Sequence, residues 1–357
     1  MANRSVRVQK AARPKVSLLF VAALLTVALA VGGTAFVLLG GLPKSAASAT
    51  PSSPATTQTP HVTRDPLEPL TLASIQRGPH LVFQNVVRNE DYAATSLVPL
   101  DSPGGMRVAT DLVCERVHFA AGHGICLGAK HGAESSYFAT VFGADFEPAG
   151  RIALGGAPTF ARVSPDGRLA AASFQTSPPT ELAPIAPSET WLLSTTSGEV
   201  VADLADFDLL RDGVAVTEPE VDYWGVTFKR DGDGFYLSVR YGGNIYLAEG
   251  SIAAQRLNVL LGGVSAPSLS PDQKRLAFAS LVSSVGPTWR FHLLDLPTGA
   301  DSELPETRSI DDQMEWMGSD QLLYGLSTDI WSVSSSGKTA PLPFLFGGLS
   351  PAVVDAP

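Results

Sequence analysis

Cysteine and histidine, the nitrogen and sulfur donors for a metal and the source of a thiolate nucleophile, are scarce: this 357-residue chain has two cysteines and six histidines. Three of those histidines fall within residues 118–131, which leaves little for a site elsewhere. The usual catalytic signatures are missing as well: there is no G-x-S-x-G nucleophile elbow, no H-E-x-x-H pair and no Gly-rich phosphate loop. No residue is therefore singled out as catalytic, and neither a cofactor nor a metal is expected. Basic charge is also scarce and unevenly placed. Residues 1–66 carry Arg4, Arg7, Lys10, Arg13, Lys15, Lys44 and Arg64 against Asp65 alone, a net +6. Because the whole chain sums to −10, residues 67–357 carry −16. Nucleic acid needs a basic face to displace its counterions, so that class of partner is excluded.

The segment Val16–Leu42 holds no ionisable residue over 27 positions. A helix crosses the hydrocarbon core with about 20 apolar residues, so this stretch is expected to span a membrane once. Five basic residues precede it and only Lys44 follows closely, which puts a short tail, residues 1–15, in the cytoplasm. A cleaved signal peptide ending near Ala47-Ser48-Ala49 is the alternative, but secretory apolar cores usually run about 7–15 residues. With no cysteine near the segment, a lipid-modified cysteine anchor is excluded. Residues 43–66, rich in Pro, Ser, Thr and Ala, offer nothing to bury and read as a disordered stalk with a reach of roughly 25–30 Å. Residues 67–357 then form one extracytoplasmic domain.

Past Leu67 no helical periodicity persists. Short runs such as His80-Leu81-Val82-Phe83, Phe235–Val239 and Leu276–Ala279 are punctuated by Gly, Pro, Asp and Ser, the pattern of an all-β domain. Two segments share one motif. Pro158-Thr159-Phe160 leads through Ser164-Pro165-Asp166-Gly167 into Leu169-Ala170-Ala171, and Pro267-Ser268-Leu269 leads through Ser270-Pro271-Asp272-Gln273 into Leu276-Ala277-Phe278. Each reads as strand, tight turn, strand: Pro presets φ, Asp bonds back to the backbone and Gly accepts positive φ. Weaker copies occur at Val117–Leu127, Trp224–Leu237 and Met314–Tyr324, each followed by a third strand and a weaker fourth. Four strands per unit of about 40–50 residues is the size of a propeller blade. A sixth unit near residues 79–110 lacks its first strand. Gly347–Val354 looks like the start of a repeat and is expected to supply it, closing the ring.

The Ser-Pro-Asp-Gly turns, their setting and the count of six resemble the propeller of TolB-like periplasmic proteins over residues 79–354. The resemblance implies a six-bladed β-propeller with a binding or scaffolding role in the cell envelope. In that family the propeller usually sits beside an α/β domain, where this chain has a membrane segment and a stalk. The expected partner is an envelope protein, a peptide or a cell-wall polymer. The Pro-rich insertion 175–188 and the acidic stretch 203–220 are the expected contact surfaces, since loops carry function on rigid scaffolds. The competing class is an enzyme, a hydrolase, lyase or quinone-dependent dehydrogenase, with its site at the mouth of the central channel.

Outside the cytoplasm an even cysteine count points to a disulfide, Cys114–Cys126, on the first two strands of the second blade. Its contribution is about 3 kcal/mol in the chain-entropy model. Cys114, His118, His123 and Cys126 also suggest zinc, but residues four apart on a strand lie about 13 Å apart, too far for one tetrahedral ion. Arg230-Asp231-Gly232-Asp233-Gly234 hints at a calcium loop, yet position 242, where a Glu would be needed, is Gly, and a hairpin turn is the plainer reading. Trp191, Trp224, Trp289, Trp316 and Trp331 are expected between blades rather than on a binding surface. Asp311, Asp312 and Glu315 are carboxylates with no role legible from sequence.

Overall fold

The computed structural model describes residues 70–355 apart from 133, 182–184 and 284–286. The proposed membrane segment 16–42 and stalk 43–66 lie outside the described residues. Among the described residues, no helix is long and apolar enough to cross a membrane.

Six sheets, antiparallel but for one added strand, make up the described domain. The inner strands of blades 2 to 6 are Arg116–Ala120, Ala157–Val163, Asp222–Phe228, Ser265–Leu269 and Glu315–Met317. The inner strand of blade 1 is the C-terminal Gly348–Val354, which pairs antiparallel with His80–Asn85. Each inner strand touches that of the next blade, and the sixth reaches the first. The ring is therefore six-bladed and closed by both ends of the domain, as the repeat pattern predicts, and closure leaves no open inner edge. Alternating apolar residues fill the space between blades. Trp224, Trp289 and Trp316 are buried in one cluster with Phe291 and Tyr324, so the aromatic residues do act mainly as core.

The tight turns are held by their own side chains. In blade 3, Ser164 Oγ donates to Asp166 Oδ1 (2.6 Å) and accepts the Leu169 N–H (3.0 Å), while Asp166 Oδ1 accepts the Arg168 N–H (3.1 Å). Ser270, Asp272 and Arg275 repeat the arrangement in blade 5. The φ of Gly167 is +72°, and Gln273 takes the same left-handed corner at +59°, where a side chain is strained. In blade 4, Asp231 accepts the N–H groups of Asp233 and Gly234, and Asp233 accepts from Ser251 and Ala253. Those carboxylates are committed to the hairpin, so the 230–234 stretch is a turn.

Three expectations need correction. Cys114 is not on a strand of blade 2. It lies in the crossing between Val108–Val113, the outer strand of blade 1, and Arg116–Ala120. From there it forms a disulfide with Cys126 on the second strand of blade 2, with a Cα–Cα distance of 5.3 Å. The strand register sets Cys126 opposite Val117, so the bridge ties the crossing between blades to blade 2. Blade 4 has six strands, not four. Most of the acidic stretch 203–220 is not a free loop either: Asp208–Arg211 pairs parallel with the outer strand Arg256–Gly262, and Val214–Ala215 pairs with Asp208–Arg211. Leu204, Phe207 and Leu209 are buried beneath it, so apolar residues among the acids cover the blade edge.

Candidate site at the propeller axis and its entry face

Inner strands run from an entry face, where the connections between blades arrive, to a turn face that carries the Ser-Pro-Asp turns. Between the faces, side chains from separate blades close the axis. Arg162 of blade 3 forms an ion pair with Glu315 of blade 6 and donates to the Met314 carbonyl at 3.0 Å. Glu315 Oε1 accepts the Val353 N–H of blade 1 (3.1 Å), and its Oε2 lies 3.4 Å from His118 Nε2 of blade 2. His118 Nδ1 accepts the Val163 N–H at 3.1 Å, so the neutral ring carries its proton on Nε2, facing Glu315. The 3.0 Å approach of Arg162 Nη1 to Nε2 is then a packing contact between donors rather than a hydrogen bond. Burial alone would raise the Glu315 carboxyl, but Arg162, His118 and the Val353 N–H bring it down to about 2. Burial lowers His118 below its ordinary value, with the Arg162 charge adding to it and Glu315 opposing. Gln313 completes the plug by donating to the carbonyls of Val226 and Pro267.

Bulges in the inner strands lock neighbouring blades. Ser350, at φ +53°, exchanges two 3.0 Å bonds with the backbone of Val117. Ser173 Oγ accepts the Gly225 N–H, and Ser238 Oγ accepts the Ala266 N–H. Gly225 is at φ +64°, and a Cβ there would lie 2.7 Å from the Ala266 Cα, which accounts for the glycine.

None of the four residues read as a zinc set forms one. The two sulfurs are bonded to each other and His118 is held at the axis; no metal cluster occurs among the described residues. Of the three carboxylates without a legible role, Glu315 belongs to the plug and Asp312 accepts the Gly325 N–H (2.8 Å) beside Arg116. Asp311 is different. It is solvent-exposed and makes no hydrogen bond or ion pair among the described residues, yet it lines a cavity of about 90 Å³ with Trp224, Trp289 and Phe160. The surrounding protein and the Asp312 charge raise its carboxyl to about 6, partly opposed by Arg116.

Beside that cavity a wider cleft of about 920 Å³ opens over blades 4 and 5. Ile185 and Pro187, at the end of the Pro-rich insertion, line it together with Glu218 and Glu220. The two segments expected as contact surfaces thus meet in one concavity, although only the end of the acidic stretch takes part. Arg240 in its wall is neutralised by Asp222, to which Nε donates at 2.6 Å, whereas Glu218 and Glu220 have no ion pair among the described residues.

TolB from Acinetobacter baumannii has a similar structure, with TM-score 0.53 and 15% identity over 78% of this chain and 67% of that one. The fold is a TolB-like six-bladed β-propeller. A propeller in a nidogen/laminin complex is similar at TM-score 0.52 and 12% identity, over 78% of this chain and 99% of that one. A periplasmic gluconolactonase of Pseudomonas aeruginosa matches at TM-score 0.47 and 13% identity, over 78% and 99% of the two chains, a likeness too slight to bear on chemistry. No family model and no curated protein sequence matches the chain. At these identities the likeness is one of fold, and it leaves the side chains of the TolB-like axis to be read on their own terms.

Proposed function

We propose that the propeller is a non-catalytic binding module of the cell envelope, held outside the cytoplasm by a membrane-spanning segment at residues 16–42 and a stalk at 43–66. The observation that carries this reading is the sealed axis. Glu315 pairs with Arg162 and His118, and all three bond to the backbone of adjacent blades, as a structural plug does; Arg162 Nε has no acceptor among the described residues. A concave surface open to a partner lies on the entry face, over blades 3 to 5, and a second of about 200 Å³ lies at the turn-face mouth of the axis, lined by His118, Arg162, Glu315 and Gly318. The wider entry-face cleft is the one assigned to the partner. An extracytoplasmic location is supported by the Cys114–Cys126 disulfide, a bond that persists in oxidising compartments. The similarity to TolB and to a propeller from a protein–protein complex supports a protein partner.

The test is site-specific photocrosslinking in intact cells producing the full chain, with the reactive group placed at Asn244 on the entry face or Gly318 on the turn face. A discrete adduct from Asn244 and not from Gly318 is expected. Adducts from neither position, or from Gly318 alone, would overturn the assignment. Protease added outside intact cells is expected to cut the stalk and release the domain.

A further inference from the structure

The Asp311 cavity combines features that a merely structural pocket does not need. Its carboxylate has solvent contact and makes no ion pair among the described residues, the Arg116 charge acting on it only from a distance. Arg116 itself donates to the Thr159 carbonyl at 2.7 Å and sits 3.9 Å from Asp312 instead. The walls are aromatic: Trp224 and Trp289 come from the inner and third strands of blades 4 and 5, and Phe160 from the inner strand of blade 3. The Trp224 indole N–H is already bonded to Ser265 Oγ at 3.0 Å, so the ring brings no free donor of its own. Thr159 Oγ1, buried and without a hydrogen-bond partner, lines the same cavity and leaves an acceptor unused. A carboxylate, an idle hydroxyl and aromatic walls in a space this small suit a cation and disfavour an anion. The neighbouring cleft adds Glu218 and Glu220, which make no ion pair among the described residues; of the bases beside it, Arg240 is paired with Asp222 and Arg211 is held on the hydroxyls of Tyr241 and Tyr246.

We propose that the entry-face cavity at Asp311 takes the cationic end of a lysine or arginine side chain carried by a polypeptide, whose flanking residues run along the cleft past Glu218 and Glu220. This rests on the binding-module reading and names the partner's chemistry. Asp311 supplies the counter-charge, and Trp224 and Trp289 pack around the cation and its methylenes. The cavity admits the end of one side chain, and the adjoining cleft holds the backbone that presents it. A partner of this kind is also drawn in by the charge of residues 67–357, −16 in all, before any specific contact forms.

Fluorescein-labelled hexalysine, titrated into the full chain in detergent micelles at about 0.15 M salt, tests this by anisotropy and by tryptophan emission. Saturable binding with a change in emission is expected from the wild type, because two tryptophans line the cavity. Asp311→Asn should weaken binding about tenfold or more, the factor attached to losing one desolvated charge contact. Asp320→Asn, which removes the same charge from the exposed turn of blade 6, should change it less than about twofold because salt screens distant surface charges. No binding by the wild type, no loss with Asp311→Asn, or equal loss with both variants would overturn the proposal. The two readings fail separately: Asp311→Asn that forms the same crosslinked adduct as the wild type leaves the module standing and removes the cation pocket. The double variant Glu218→Gln/Glu220→Gln gives a second, independent weakening should Asp311→Asn fold poorly.

Discussion

The guanidinium of Arg107 donates to the carbonyl of Gly347 at 2.9 Å, across 240 positions of sequence. The same group reaches the Phe346 carbonyl and Asn85 Oδ1, each at 2.8 Å, and lies 5.2 Å over the Phe83 ring. It clasps the point where the C-terminal strand enters blade 1. Replacing Arg107 with Ala leaves buried Asn85 short of a donor, and the expected loss is about 2–4 kcal/mol, since bonds from a charged donor are worth more than neutral ones. Urea unfolding of the variant, with an unchanged m-value, would measure it.

Truncation after Pro343 goes further. It removes Gly348–Val354, exposes the edge of His80–Asn85 and takes away the Val353 N–H that Glu315 accepts. The truncated chain should lose its cooperative thermal transition or melt far below the intact domain. An unchanged midpoint would count against closure as a source of stability.

The disulfide closes a short loop, with Cys114 and Cys126 separated by 12 positions. In the chain-entropy model that is worth about 3 kcal/mol. Reductant, or the paired change to serine, should lower the melting temperature without dissolving the fold. A melt indifferent to both would show that the bridge adds nothing to the core around Phe119 and Phe142.

Acid should weaken the axis. The Glu315 carboxyl is depressed from 4.5 to about 2 in the folded state, so its stabilisation is complete above about pH 4.5 and is lost as pH falls toward 2. His118 is likewise lowered from 6.5, so stability begins to decline below that pH as the unfolded chain takes up its proton. Glu315→Gln should flatten the acid limb of a melting-temperature profile. At neutral pH the same change should cost about 3–5 kcal/mol, because Arg162 is left buried without its anion.

Asp311 behaves in the opposite sense. Its carboxyl is raised from 3.8 to about 6, so the folded state loses stability as pH rises between those values. Because Asp311 is exposed, solvent screens most of that cost, and Asp311→Asn should melt only slightly higher than the wild type at pH 7 and equal to it below about pH 4. Hexalysine binding by the wild type should fall as pH drops through about 6, and the variant's residual binding should not follow that curve.

Much of the architecture is local chemistry written into the chain. Ser164-Pro165-Asp166-Gly167 makes its turn almost entirely with its own atoms, so spacing between such turns reveals hairpins, and hairpins at blade spacing reveal the ring. The missing first strand near residue 79 and the spare one at Gly347–Val354 were legible for the same reason. Gln273 shows the limit of the motif: it occupies the glycine corner because the surrounding hairpin holds it there.

The side-chain pairing at the axis was not written locally. His118 and Arg162 meet across 44 positions, and Arg162 and Glu315 across 153, with no shared motif between them. Ser173 and Ser238 look like ordinary strand serines until the neighbouring blade brings Gly225 and Ala266 against them. Asp311 and Asp312 are adjacent in sequence, yet Asp312 meets Gly325 and Arg116 while Asp311 is left facing Trp224 and Trp289. Turn and strand preferences act over a few residues, so the amino-acid order alone determined the blades and their number. Which side chains are paired and which are left free depends on distances between blades, and only closing the ring decides those.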